Sequence, residues 1–308
     1  MSEYVLSYYP KFACLKGGCN HTCCAGWQVP IDGDTLESYK TNSKVAAFVK
    51  AGVNFKKSAY KTVNGGKCAF LDECGLCRIH AELGEDHTAA VCRDHPRFRT
   101  ALSDRIETGL GFSCEAAAKI ILSYGEKITL VKFGEDSSHG PESPVEKYIL
   151  DLRQRALDII QDRKTPINGR IGQLLRLCYG KIDQVDILKL KKTLLRLERL
   201  DKGWGRRLRS IKGASPPHVR EEFALYCEQF LANSFYRHLA LSEDTLSVRT
   251  RVVGLILCWH FIESLAIFEG PSLDTFVDVV RSFSCEVEYS TKNLERLFKF
   301  FEGLVILT

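Results

Sequence analysis

Nine of the chain's thirteen cysteines fall within its first 114 residues, and eight of these form two tight clusters. The first reads Cys14-x4-Cys19-x3-Cys23-Cys24 and the second Cys68-x5-Cys74-x2-Cys77-x14-Cys92, with Cys114 beyond them. Scattered free cysteines pack as small apolar residues, but clustered thiolates are soft ligands for zinc and for iron–sulfur clusters. The Cys74-x2-Cys77 pair suits a tight metal-binding turn, and Gly75 between them eases the backbone angles such a turn needs. The first third of the chain is therefore expected to fold around metal, which would stand in for part of a hydrophobic core.

Disulfides are the rival reading. The opening MSEYVLSYYPKF has no apolar signal region and no small-residue cleavage site, so a cytoplasmic protein is expected. In a reducing compartment clustered cysteines are more often metal-binding or redox-active than paired. Zinc needs four ligands and an iron–sulfur cluster needs four thiolates, so the count does not choose between them. Cys23 and Cys24 are adjacent, and neighbouring residues rarely point at the same ion, which makes one of them a candidate spare. His21, His80, His87 and His95 lie among the cysteines and fit hydrogen-bonding support better than direct ligation. The spacing departs from the Cys-x3-Cys-x2-Cys of radical S-adenosylmethionine enzymes, because Gly26 stands where the third cysteine would.

A chain of 308 residues with 45% hydrophobic content is long enough for about two domains. No run approaches the roughly 18 uninterrupted apolar residues of a membrane span, the richest being Val252 to Leu257. The fold class expected is mainly α: an irregular, cysteine-rich metal-binding domain over residues 1–133, a linker from Gly134 to Pro144, and a helical bundle over 145–308. Helices are expected near 35–49 and 114–121, then near 145–162, 167–179, 184–201, 217–241, 247–268, 272–283 and 291–304. Val252 to Trp259 is apolar nearly all round and should lie at the centre of the bundle. Cys178, Cys227, Cys258 and Cys285 are single thiols in such helices and read as core. The one glycine-rich candidate for a nucleotide-binding turn is Glu107-Thr-Gly-Leu-Gly111, which lacks surrounding strand–helix alternation. Net charge is +5, and Lys164 to Arg220 carries fifteen Lys and Arg against four Asp and Glu. That excess reads first as a solvated helix face and, functionally, as a surface for an acidic partner. No interleaved aromatic residues support nucleic acid.

The segments Cys19-Asn-His-Thr-Cys-Cys-Ala-Gly-Trp-Gln-Val-Pro-Ile-Asp32, Cys68-Ala-Phe-Leu-Asp-Glu-Cys-Gly-Leu-Cys-Arg-Ile-His80 and Cys92-Arg-Asp-His-Pro-Arg97, with Ser113 to Leu122, resemble the flagellin lysine-N-methylase family. That family stands within a wider group of cysteine-rich proteins described as zinc- or iron-chelating. The resemblance implies methyl transfer from S-adenosyl-L-methionine (SAM) to the ε-amino groups of surface lysines on flagellin. It also implies an iron–sulfur cluster of the 4Fe–4S kind, with zinc as the alternative. By the same resemblance the metal residues are Cys19, Cys23, Cys24, Cys68, Cys77 and Cys92, joined by Cys14 and Cys114, while Cys74 is a weaker match.

An amine attacks a methyl sulfonium only when neutral, and a free lysine titrates at about 10.4, so the site must desolvate the lysine or supply a base. Asp32, Asp94 and His95 stand near the cysteines, yet each fits a cap or a salt bridge better. No catalytic residue and no SAM pocket is assigned. The alternative function is a non-enzymatic metal-cluster or redox adaptor that binds an acidic protein, and a nucleic-acid binder with structural zinc is the remaining class.

Overall fold

A computed structural model describes residues 2–63, 65–134, 143–211 and 217–304. The fold is mainly α, with 13 α-helices among the described residues and short strands confined to the first 132. Contacts divide the chain into two compact units: Ala13–Arg97 with Cys114–Ala116, and Met1–Phe12, Phe98–Ser113 and Ala117–Thr308. The cysteine-rich stretch is thus a unit of its own. Residues 2–12, 98–113 and 117–133, which the sequence reading groups with it, pack with the helices. Of the linker expected between Gly134 and Pro144, residues 135–142 lie outside the described residues. Pro144 opens the helix Pro144–Ile160, capped by the Ser143 hydroxyl, which accepts the Glu146 N–H at 3.1 Å.

In the helical unit, strand Ser2–Leu6 has a parallel neighbour, Arg105–Leu110, and an antiparallel one, Leu130–Lys132. The glycine-rich candidate Glu107 to Gly111 falls in and just beyond the strand Arg105–Leu110. A Cβ on Gly109 would come within 2.5 Å of Phe98 and 2.7 Å of Leu6, so this glycine answers a packing need. Glu107 is buried and takes two Arg153 guanidinium nitrogens at 2.7 Å each. A buried pair of this geometry holds the helix Pro144–Ile160 to the sheet.

Helices Ile167–Leu177, Thr245–Glu269, Leu273–Phe283 and Thr291–Phe301 lie where the apolar period places them, whereas the helix expected over 217–241 is shorter, Ala224–His238, entered through a 3-10 turn at Glu221–Phe223. Thr245–Glu269 is buried from Val252 to Glu263 without interruption, and Trp259 stacks on Phe276 with ring centroids 5.6 Å apart. By length and composition this helix could cross a membrane, but most of its apolar stretch is buried inside the protein, so packing accounts for its composition. Cys178, Cys227 and Cys258 are buried, and burial pushes all three thiols up, as expected of core residues.

The stretch 184–201 departs from expectation. Gln184–Leu194 ends early, and a separate helix, Lys202–Ser210, starts from Asp201, whose carboxylate accepts the Gly203 N–H at 2.8 Å. The cause is tertiary. Asn293 Oδ1 takes the Glu198 N–H at 3.0 Å, and the Glu286 carboxylate takes those of Leu200 and Asp201 at 2.9 and 2.7 Å. Distant side chains thus claim backbone donors that a continuing helix would have used.

The cysteine-rich unit carries an apolar core after all. Val29, Ile31, Tyr39, Val49, Tyr60 and Phe70 are buried together with Cys68, and Cys24 and Cys77 pack against them. Its expected single helix over 35–49 is two, Gly33–Thr41 and Ser43–Val49. They are separated by Asn42, whose side chain accepts the Lys44 and Val45 N–H groups at 3.2 and 3.4 Å.

Candidate metal centre

Four thiols are placed by the apolar core. The Cys24 carbonyl accepts the Cys68 N–H at 2.8 Å, which sets these two residues side by side. The chain then folds back so that Leu71 bridges Cys77. Asp72 closes the turn between them: its carboxylate accepts the Leu76 N–H at 2.8 Å and its carbonyl the Gly75 N–H at 3.2 Å. Gly75 takes φ +77° there, the left-handed geometry expected of this Cys-x2-Cys turn. Cys92 arrives on a different element, the short helix Ala90–Asp94, whose entry is tied down twice. The Tyr60 hydroxyl accepts the Ala89 N–H at 2.9 Å and the Asp32 carboxylate accepts the Ala90 N–H at 2.7 Å. Burial, with the nearness of Cys24 and Cys77, raises Cys68 to about 11. The same causes raise Cys92 to about 12, with Cys68 also nearby, and push Cys77 upward beside Cys24.

The remaining four thiols gather around a different anchor. Glu115, the first residue of helix Glu115–Leu122, accepts the N–H groups of Asn20 and His21 on Oε2 at 3.0 and 3.2 Å, and the Asn20 side-chain amide on Oε1 at 3.0 Å. This clamp fastens the loop carrying Cys19 and Cys23 beside Cys114. Cys14 begins the same loop, and its sulfur accepts the Lys16 N–H at 3.3 Å. A Cβ on Gly17 would come within 2.5 Å of the Cys74 carbonyl, so the loop can lie this close only with glycine there. Partial burial and the nearness of Cys114 and Cys14 raise Cys19 to about 11. Cys23 and Cys24 meet thiol to thiol: their hydrogen bond pushes Cys23 up and draws Cys24 down to about 7.

All eight cysteines singled out from the sequence therefore lie in one unit. Among the described residues, no three Cys, His, Asp or Glu side chains stand close enough to hold a metal ion as placed. The donor set nonetheless suits a thiophilic centre, because thiols that raise one another's pKa by proximity are relieved by a cation between them. Cys74 is exposed in its turn. His21 gives its backbone N–H to Glu115, His80 is exposed on the helix Arg78–Leu83, and the His87 carbonyl accepts the Tyr39 hydroxyl.

Asp32 is a structural lock. It caps helix Gly33–Thr41, accepting the Thr35 N–H and hydroxyl at 2.9 Å each, and reaches across to Ala90. Burial works against its charge, but the N–H groups of Ala90 and Thr35 outweigh it and hold the carboxyl at about 2. Sequence reasoning did not single out Glu115 or the Tyr39–Tyr60 hydroxyl pair, which stand 2.8 Å apart. For Glu115 the only signal in the sequence is its place next to Cys114. In the helical unit a cavity of 200 Å³ is lined by Lys127 to Leu130, Gln154, Asp158, Gln161 and Tyr236. That is below the roughly 300–1,000 Å³ of small-molecule sites.

No family model and no solved structure matches the chain. Curated proteins do. The chain is 22% identical over 215 residues to the lysine-N-methylases of Salmonella choleraesuis (strain SC-B67) and Salmonella typhimurium (strain LT2), an alignment covering 64% of this chain and 53% of each of theirs. The chain is their distant relative. It spans about half the length of these methylases. Over 151 residues it is 24% identical to flagellar biosynthetic protein FliU of Salmonella muenchen, covering 46% of this chain and 88% of that protein.

Proposed function

We propose that the chain is a protein-lysine N-methyltransferase that takes its methyl group from SAM and modifies surface lysines of flagellin in the cytoplasm. Its cysteines hold an iron–sulfur cluster, with zinc as the alternative metal. The observation that carries this reading is the similarity to lysine-N-methylases over 64% of the chain, and the gathering of eight thiols in one compact unit agrees with it. Flagellin is the substrate suggested by the flagellar name of the FliU relative.

In the transfer, the lone pair of a neutral lysine amine forms the N–CH3 bond as the S–CH3 bond of the sulfonium breaks. S-adenosylhomocysteine leaves and the amine proton passes to a base or to water. The chain's part is to strip solvent from the lysine, because the ammonium form has no lone pair to give. Cys14, Cys19, Cys23, Cys24, Cys68, Cys77, Cys92 and Cys114 are the ligand pool, and Glu115, Asp32 and Tyr60 position the segments that carry them. When bound, an iron–sulfur cluster supplies one-electron chemistry or a Lewis-acidic iron.

Anaerobically purified chain, flagellin and SAM should give flagellin mass gains in steps of one methyl group, mapped to lysines. Flagellin binding with intact cofactor and no mass gain would replace this reading with the metal or redox adaptor.

A further inference from the structure

We propose that the eight cysteines form two separate four-thiolate centres that adjoin at the Cys23–Cys24 peptide: Cys14, Cys19, Cys23 and Cys114 hold one, and Cys24, Cys68, Cys77 and Cys92 hold the other. The inference rests on the thiol-ligand reading above and deepens it.

The two sets are built on different scaffolds. The inner set is fixed by the Cys24–Cys68 backbone hydrogen bond, by the Leu71–Cys77 bridge, and by Tyr60 and Asp32 gripping the entry to the Cys92 helix. The outer set is fixed by Glu115, which binds Asn20 and His21 and so brings the Cys14–Cys23 loop to Cys114. Neither scaffold uses the other's anchor. Electrostatic neighbours divide in the same way: Cys92 feels Cys24, Cys77 and Cys68, whereas Cys19 feels Cys114 and Cys14 first.

The Cys23–Cys24 pair then acquires a purpose. Two adjacent residues seldom reach one ion, but each can serve a different one, and their touching thiols make the centres neighbours. Four thiolates apiece is the complement of a tetrahedral zinc or of a four-iron cluster, and Cys74 belongs to neither set. The inner set alone has a buried member. Cys68 is buried, with the half-buried Cys24 and Cys77 against the same apolar core and Cys92 exposed at its edge, while Cys14 and Cys23 are exposed and Cys19 and Cys114 are half-buried. The inner centre is the one joined to the apolar core, through Cys68, Cys24 and Cys77.

Cadmium-113 added to the reduced, metal-free full chain tests the division directly. The expected result is two all-thiolate NMR resonances at about two ions per chain. The pair Cys14→Ser/Cys114→Ser should abolish one resonance, and Cys77→Ser/Cys92→Ser the other, each leaving about one ion bound. A single resonance at about one ion, lost with either pair, would overturn the division while the thiol-ligand reading survives. No thiolate-bound cadmium would overturn both. Should the inner pair fail to fold, the resonance count of the parent chain and the outer pair, which lies outside the apolar core, still decide.

Discussion

Two carboxyls, the half-exposed Asp32 and the buried Glu263, do opposite work. Asp32 is held at about 2, below its ordinary 3.8, by the N–H groups it accepts. A depressed carboxyl adds stability that is complete above the unfolded value and is lost as pH falls through the folded one, so Asp32 supports the fold from about pH 4 upward. Asp32→Ala should destabilise the cysteine-rich unit by about 1–2 kcal/mol, as loss of an N-cap does, and urea titration near neutral pH checks it. An unchanged midpoint would mean that the Thr35 and Ala90 contacts are dispensable. Glu263 has the reverse sign. One oxygen accepts the Arg220 N–H at 2.9 Å and the Trp259 indole lies beside the carboxyl, but burial outweighs both and lifts it from 4.5 to about 7. Between those values the folded chain keeps a proton that the unfolded chain releases, so stability should decline as pH rises across that window. Glu263→Gln cannot titrate. Unfolding midpoints measured at about pH 5 and pH 8 should therefore differ less for the variant than for the parent, and equal differences would remove Glu263 as the cause.

Among the elements, the helix Thr245–Glu269 carries the most packing. Trp259 is fully buried between Phe276 and Phe230, so Trp259→Ala should cost about 3–5 kcal/mol in equilibrium unfolding. A loss below about 1 kcal/mol would place the centre of the bundle elsewhere. This helix was legible in the sequence because its apolar run exceeds what one face needs, and its neighbours because their apolar residues recur at three- and four-residue steps. Residues 195–200 were not legible: their own sequence continues a helical period, and the side chains that interrupt it, Glu286 and Asn293, lie more than 80 residues away. The site divides similarly. The eight cysteines and the glycine of the Cys74–Cys77 turn stand out in the sequence. The association of Cys114 with Cys14 and Cys19 does not, because it depends on Glu115 reaching back to Asn20. Nor did the spacing reveal the apolar core beneath the inner thiols, since Val29, Tyr39, Tyr60 and Phe70 come from segments too short to show a period.

For the molecule as a whole, that core changes what metal removal should do. A unit held by Val29, Tyr60 and Phe70 as well as by thiolates should loosen on chelation without unfolding, so limited proteolysis of apo protein should cut first within residues 14–24 and leave Gly33–Val49 intact. The basic segment is also not one surface. Arg170 is buried against Glu228, and Arg207 is tied to Glu269 and to Asp278, so these two charges serve the fold. Arg206 and Arg209 are exposed on the helix Lys202–Ser210 and are the ones available to a partner. If they steer an acidic face of flagellin, Arg206→Glu with Arg209→Glu should slow association roughly tenfold at low ionic strength. The difference should shrink as salt shortens the screening length to about 8 Å near physiological strength. Far-UV circular dichroism and thermal unfolding should match the parent, because neither side chain is buried. Stopped-flow association at low and high salt decides the matter: equal rates for parent and variant at both would leave Arg206 and Arg209 as solvated charges and move the docking surface away from this helix.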